Sequence, residues 1–139
     1  MKLAIVSMSL GLMIAASGAE AADLNLTLRT QGSGGNLAIA VYDSADALRQ
    51  SRNPVATRTV PASGGAVSVT IPGLAPGRYA VAVFHDADSN GELTLWPVGL
   101  PREAYGFSRN ARGRFGPPAF DAAAFDLPVT GSRQAITLR

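Results

Sequence analysis

The strongest constraint on how this chain folds is a side-chain alternation of period two that recurs along it. Between residues 23 and 29, Leu24, Leu26 and Leu28 fall on one side, and Asp23, Asn25, Thr27 and Arg29 on the other. Strand side chains point alternately to the two faces of a sheet, so this pattern predicts a half-buried strand. The same alternation sets Leu37, Ile39 and Val41 against Ala38, Ala40 and Tyr42. It sets Val67, Val69 and Ile71 against Ala66, Ser68 and Thr70, and Ile136 and Leu138 against Ala135 and Thr137. Over residues 79 to 84 both sets are apolar: Tyr79, Val81 and Val83 on one side, Ala80, Ala82 and Phe84 on the other. A strand apolar on both faces is covered on both, which predicts a central position.

Turn residues punctuate these runs. The glycine-rich stretch 32–35 separates the first two strands and predicts a hairpin between them. Gly64 and Gly65 precede the Val67 strand, and Ala75-Pro76-Gly77-Arg78 places Pro and Gly where a tight turn fixes one φ and then needs another positive. A short strand is expected over residues 56–60. Single helical turns are expected after Asp43 or Ser44 and over residues 121–125. From His85 to Pro128 the alternation is lost and Pro97, Pro101, Pro117, Pro118 and several glycines take over. So long an irregular stretch in a small domain points to function. The expected fold is all-β, an antiparallel β-sandwich, transthyretin-like or immunoglobulin-like, with one long irregular loop.

The chain has 139 residues, enough for one core and too few for two ordinary domains. Lys2, an apolar stretch to Ala16 and the small-residue pair Ala19 and Ala21 form the three parts of a secretory signal. The expected division is a signal peptide over residues 1–21 and a single sandwich over 22–139, located in the periplasm or secreted. Removing residues 1–21 takes away Lys2 and Glu20, so basic residues go from 12 to 11, acidic from 10 to 9, and the net charge stays +2. That surplus is too small to predict nucleic-acid binding, and no segment of the mature chain is apolar enough to span a membrane. With no cysteine, thiol catalysis, disulfides and zinc–thiolate sites are excluded, so stability must come from the core or from a bound ion.

The sharpest chemical signal is Asp86-Ala-Asp88-Ser-Asn90-Gly91-Glu92, the first half of a calcium loop. Calcium takes six to eight hard oxygen ligands; alternate Asp86, Asp88 and Asn90 can turn inward, Gly91 permits the sharp bend, and the Glu92 carbonyl completes that side. The second half departs from an EF-hand, with Thr94 at position nine and Pro97 at position twelve, so Glu103 is the nearest downstream carboxylate to complete the shell. The competing reading is a turn in which Asp and Asn bond their own backbone. His85, the one histidine, continues the Tyr79, Val81, Val83 face at the end of the central strand, and no Ser or Cys nucleophile stands at a recognisable spacing from it. Residues 102–115 interleave Arg102, Arg109, Arg112 and Arg114 with Tyr105, Phe107 and Phe115. These can hold anions, sugars or single-stranded nucleic acid by stacking and paired hydrogen bonds, or brace a long loop against its own carbonyls, and the bracing role is the expectation.

The run Leu74-Ala-Pro76-Gly77-Arg-Tyr79-Ala-Val81-Ala-Val83-Phe-His85-Asp86 with the Asp/Asn/Gly loop resembles the exported bacterial family called domain of unknown function 2141. Gly99-Leu-Pro101-Arg-Glu103-Ala-Tyr105-Gly106-Phe107-Ser108-Arg-Asn110-Ala-Arg112-Gly113 and Gly116-Pro117-Pro118-Ala-Phe120 extend the resemblance through nearly all of the mature chain. It implies a periplasmic or secreted β-sandwich and carries no established activity. Two functional readings follow. One is a non-enzymatic binding or structural module for a protein or carbohydrate ligand, stabilised by calcium. The other is a hydrolase acting on carbohydrate or ester with acidic residues and His85. Convergence of two of those side chains across a cleft favours the hydrolase; convergence on one ion favours the module.

Overall fold

The computed structural model describes residues 20–87, 103–114 and 116–139. Its strands are β1 (Ala22–Arg29), β2 (Ser33–Tyr42), β3 (Ala56–Ser63), β4 (Ala66–Leu74), β5 (Gly77–Asp86), β6 (Tyr105–Phe107), β7 (Phe125–Leu127) and β8 (Ser132–Thr137). Two short helices, α1 (Ala45–Gln50) and α2 (Phe120–Ala123), and a 3-10 turn (Ser108–Asn110) complete the described elements. No helix among the described residues is long and apolar enough to cross a membrane.

The strands form two facing sheets, ordered β4-β1-β8 and β3-β2-β5-β6, with β7 also pairing β5. Leu24, Leu26 and Leu28 of one sheet and Leu37, Ile39 and Val41 of the other are almost fully buried in a common core with Val69, Ile71, Val81, Val83 and Ile136. The alternation therefore placed the inward faces correctly. At about 0.8 kcal/mol per buried CH2, this facing apolar surface is the main stabilising term. The central position of β5 is also as expected, with β2 on one side and β6 and β7 on the other. Its outer face carries a second cluster of Tyr42, Leu48, Ala80, Phe107 and Ala123. That cluster makes α1 more than a connector, because Leu48 is buried. Ser44 starts α1 by accepting the Ala47 N–H at 3.1 Å, and Ser51 ends it in the left-handed region at φ 51°.

The expected hairpin of β1 with β2 does not form. β1 pairs antiparallel with β4 and parallel with β8, while β2 pairs with β3 and β5. The glycine-rich stretch carries the chain from one sheet to the other, so the two leucine-rich faces oppose each other across the core instead of lying side by side. The parallel β1–β8 pair joins the first and last strands, and the intervening chain supplies the long connection that a parallel pair needs. At the start of β5, the Tyr79 hydroxyl donates to the Ala75 carbonyl at 2.5 Å. The expected tight turn with a positive φ at Gly77 does not form, because Gly77 is already the first residue of β5, paired with Leu127 of β7.

Candidate functional site

Because β5 is central and long, its two ends open onto different surroundings. At its far end, His85 and Asp86 are both buried, at 6% and 4% exposure. The His85 N–H donates to the Ala104 carbonyl at 2.8 Å, continuing the ladder past β6. His85 Nε2 lies 2.7 Å from the Gly34 carbonyl oxygen. A carbonyl only accepts, so Nε2 carries the proton and, in the neutral ring, Nδ1 holds the lone pair. The glycine-rich stretch packs directly on this end. A Cβ on Gly32 would come within 2.7 Å of His85 Cε1, and one on Gly35, at φ 64°, within 2.2 Å of the Asp86 carbonyl oxygen. Gly32 and Gly35 are thus needed for close approach as well as for a turn.

Asp86 is the Cα partner of Asn36 on β2. The chain leaves β5 at Ala87 and is described again from Glu103, whose Oε2 accepts the Ala87 N–H at 3.0 Å. The structure thereby brings Asp86 and Glu103, the first expected calcium ligand and the expected downstream carboxylate, to the same strand end. Asp88, Asn90 and Glu92 lie outside the described residues. Among the described residues no group of three or more His, Asp or Glu side chains is poised around a single point.

The near end of β5 holds a second constellation that spacing did not single out. Ser108 is fully buried, and its Oγ accepts the Val81 N–H at 2.9 Å while donating to the Ala123 carbonyl at 2.5 Å. Arg109 sits in the left-handed region at φ 58°, and its Nη1 reaches the Asp121 and Ala124 carbonyls at 3.3 and 3.4 Å. The Asn110 Oδ1 accepts the Thr137 N–H at 3.0 Å. Arg78 pairs with Asp121 at 2.9 Å and lies 5.6 Å from the centre of the Phe120 ring. The bracing role expected for the arginines and aromatics is seen here, and again where Arg112 covers the Tyr105 ring at 5.8 Å and Tyr105 meets Phe107 edge-to-face. Arg102 and Phe115 lie outside the described residues. A hint of the Ser108 role existed in the sequence only as a Ser directly after an aromatic strand; nothing in its spacing indicates which two backbone groups it joins.

A family model described as "Uncharacterized protein conserved in bacteria (DUF2141)" matches residues 29–137, most of the chain and both ends of β5. The chain belongs to this family. The resemblance read from the Pro-Gly-x-Tyr strand and the Gly-Phe-Ser-Arg-Asn segment is therefore borne out, and the DUF2141 match takes in β2 through β8 together with the Ser108–Asn110 turn. No curated protein and no solved structure matches the chain.

Proposed function

We propose that this DUF2141 chain is an exported, non-catalytic binding or structural sandwich, stabilised by calcium at the far end of β5. Asp86, Asp88 and Asn90 supply side-chain oxygens, Glu92 its backbone carbonyl, and Glu103 approaches from downstream. The observation that supports this most is the 3.0 Å bond from the Ala87 N–H to Glu103 Oε2, which draws the two acidic flanks of the segment together beside the buried Asp86. His85 is buried, its Nε2 donates to the Gly34 carbonyl and its Cε1–Nδ1 edge is packed against Gly32. A general base must reach the proton it takes, so this packing favours a structural histidine over the base of a hydrolase. Export is supported by the tripartite leader and by the start of β1 at Ala22, just after the expected cut. The ligand in this reading is a protein or carbohydrate met outside the cytoplasm.

The deciding experiment is thermal melting of the mature protein with calcium, magnesium or chelator, for the wild type and Asp88→Ala. A ligand that binds only the folded state adds about 2.7 kcal/mol at ~100 times Kd. Without a bidentate Glu at position twelve, Kd belongs to the extracellular class, on the order of 0.1 to 1 mM. Calcium is expected to raise Tm in the wild type more than magnesium does, because magnesium demands octahedral geometry and sheds water reluctantly. Asp88→Ala is expected to remain folded and lose the response. Identical melting of both proteins with calcium and with chelator would show that the segment is only a turn.

A further inference from the structure

The near end of β5 bounds a cavity of about 450 Å³, lined by Arg78, Arg109, Ala124, Phe125, Asp126 and Gln134. At ~3.3 Å per strand residue, Arg78 lies about 26 Å from Asp86, so this site stands apart from the calcium reading. Its volume falls in the range of small-molecule sites. Four elements build it: β5, which contributes Arg78; β7, whose Asp126 is the register partner of Arg78; β8, which contributes Gln134; and the Ser108–Asn110 turn, which contributes Arg109.

The donors and acceptors around this cavity are unequally satisfied. Arg78 is neutralised by the Asp121 carboxylate and oriented by the Phe120 ring. Among the described residues Arg109 has no carboxylate partner, and its Nη1 reaches two carbonyls at 3.3 and 3.4 Å, longer than a good N–H···O bond. Yet its backbone is held firmly in an unfavourable left-handed conformation, because Ser108 before it and Asn110 after it are each bonded to other strands. Arg109 is exposed on this fixed backbone, so the rest of its planar guanidinium faces solvent, and its fork matches the two oxygens of a carboxylate. Gln134 commits Nε2 to the Ser132 hydroxyl at 3.0 Å, which leaves its carbonyl oxygen as an acceptor, and Asp126 is exposed at the rim. These two acceptors call for hydroxyl donors on the same ligand.

We propose that this cavity binds a small hydroxylated carboxylate of the sugar-acid type, with Arg109 taking the carboxylate and Gln134 and Asp126 taking its hydroxyl groups. The test is a titration of the isotope-labelled mature protein followed by amide NMR, with glucuronate, glucose and acetate as probes. Glucuronate is expected to shift the amides of Arg109, Ala124, Phe125, Asp126 and Gln134 saturably, with glucose and acetate each weaker by about tenfold or more. Arg109→Gln is expected to weaken glucuronate by about tenfold or more. Asp126→Asn keeps a carbonyl acceptor and removes a negative charge facing the ligand, so it is expected to tighten binding, an opposite sign that damage to the fold does not produce. Arg133→Gln, on the exposed side of β8, is expected to change nothing. Absence of saturable shifts at the cavity, equal binding of glucose and glucuronate, or weaker binding by Asp126→Asn overturns the proposal, as does unchanged binding by a folded Arg109→Gln.

Discussion

Replacing Ser108 by Ala deletes one oxygen and leaves two backbone groups without a partner. β6 stops at Phe107, and the Ser108 hydroxyl takes the place of the next ladder acceptor for the Val81 N–H at 2.9 Å. The same hydroxyl donates to the carbonyl of Ala123, the last residue of α2, which has no further helical turn to accept from. Ser108 has 0% exposure, so water does not replace the lost oxygen without rearrangement. Each buried group left unpaired costs about 1–3 kcal/mol, and with partial relaxation the pair puts the loss at about 2–4 kcal/mol. Urea denaturation reads this directly: for a slope m near ~2 kcal/mol/M the midpoint falls by about 1–2 M with m unchanged. By melting, a domain of this size loses roughly 4 °C per kcal/mol, so Tm falls by about 8–16 °C. A loss below about 1 kcal/mol at unchanged m would refute the reasoning, because it would mean that both groups find other partners.

Val81, fully buried in the core, is expected to cost about 1–3 kcal/mol when cut to Ala, from lost transfer and the cavity left behind. Thr70→Ala removes an exposed hydroxyl whose bond to Asn25 at 2.7 Å is open to solvent, so the stability read from urea denaturation falls by less than about 1 kcal/mol; equal losses at the two sites contradict the face assignment. Burial, and secondarily the charge of Asp43, raises the Tyr79 phenol above its ordinary value of 10.0, and burial likewise raises Tyr42 against an opposing hydrogen bond from Ser51. The folded chain then keeps these protons to higher pH than the unfolded chain, so their contribution is complete below about pH 10 and is lost as pH rises through the folded values. Urea midpoints measured from about pH 8 to 11 are expected to fall at the alkaline end, with a shallower slope in Tyr79→Phe; an identical slope in that variant argues against Tyr79 as a source.

The alternation of Leu24, Leu26 and Leu28, of Leu37, Ile39 and Val41, and of residues 79 to 84 was enough to establish strands, inward faces and the central place of β5. A two-residue period is a local property and survives any choice of partner. A helix cap at Asp43 or Ser44 was legible for the same reason, since it acts through its own backbone within a few residues. Gly77, by contrast, is extended in β5 without the expected positive φ, because its pairing with Leu127 is set by the sheet and not by the local turn preference. Partners were not legible. Inward-facing leucines on β1 and β2 are buried equally well by a hairpin in one sheet or by two opposed sheets, and only the packing of the whole core selects the second, with β8 entering parallel to β1. The candidate sites divide in the same way. Asp86 and His85 could be named from their position at the end of a central strand, whereas the meeting of Glu103 with Ala87 depends on how the chain returns. Ser108, Arg109, Asp126 and Gln134 come from three separate stretches of sequence. Their convergence at the near end of β5 was decided by tertiary structure alone, because strand pairing and sheet packing, not spacing along the chain, set which donors face which acceptors.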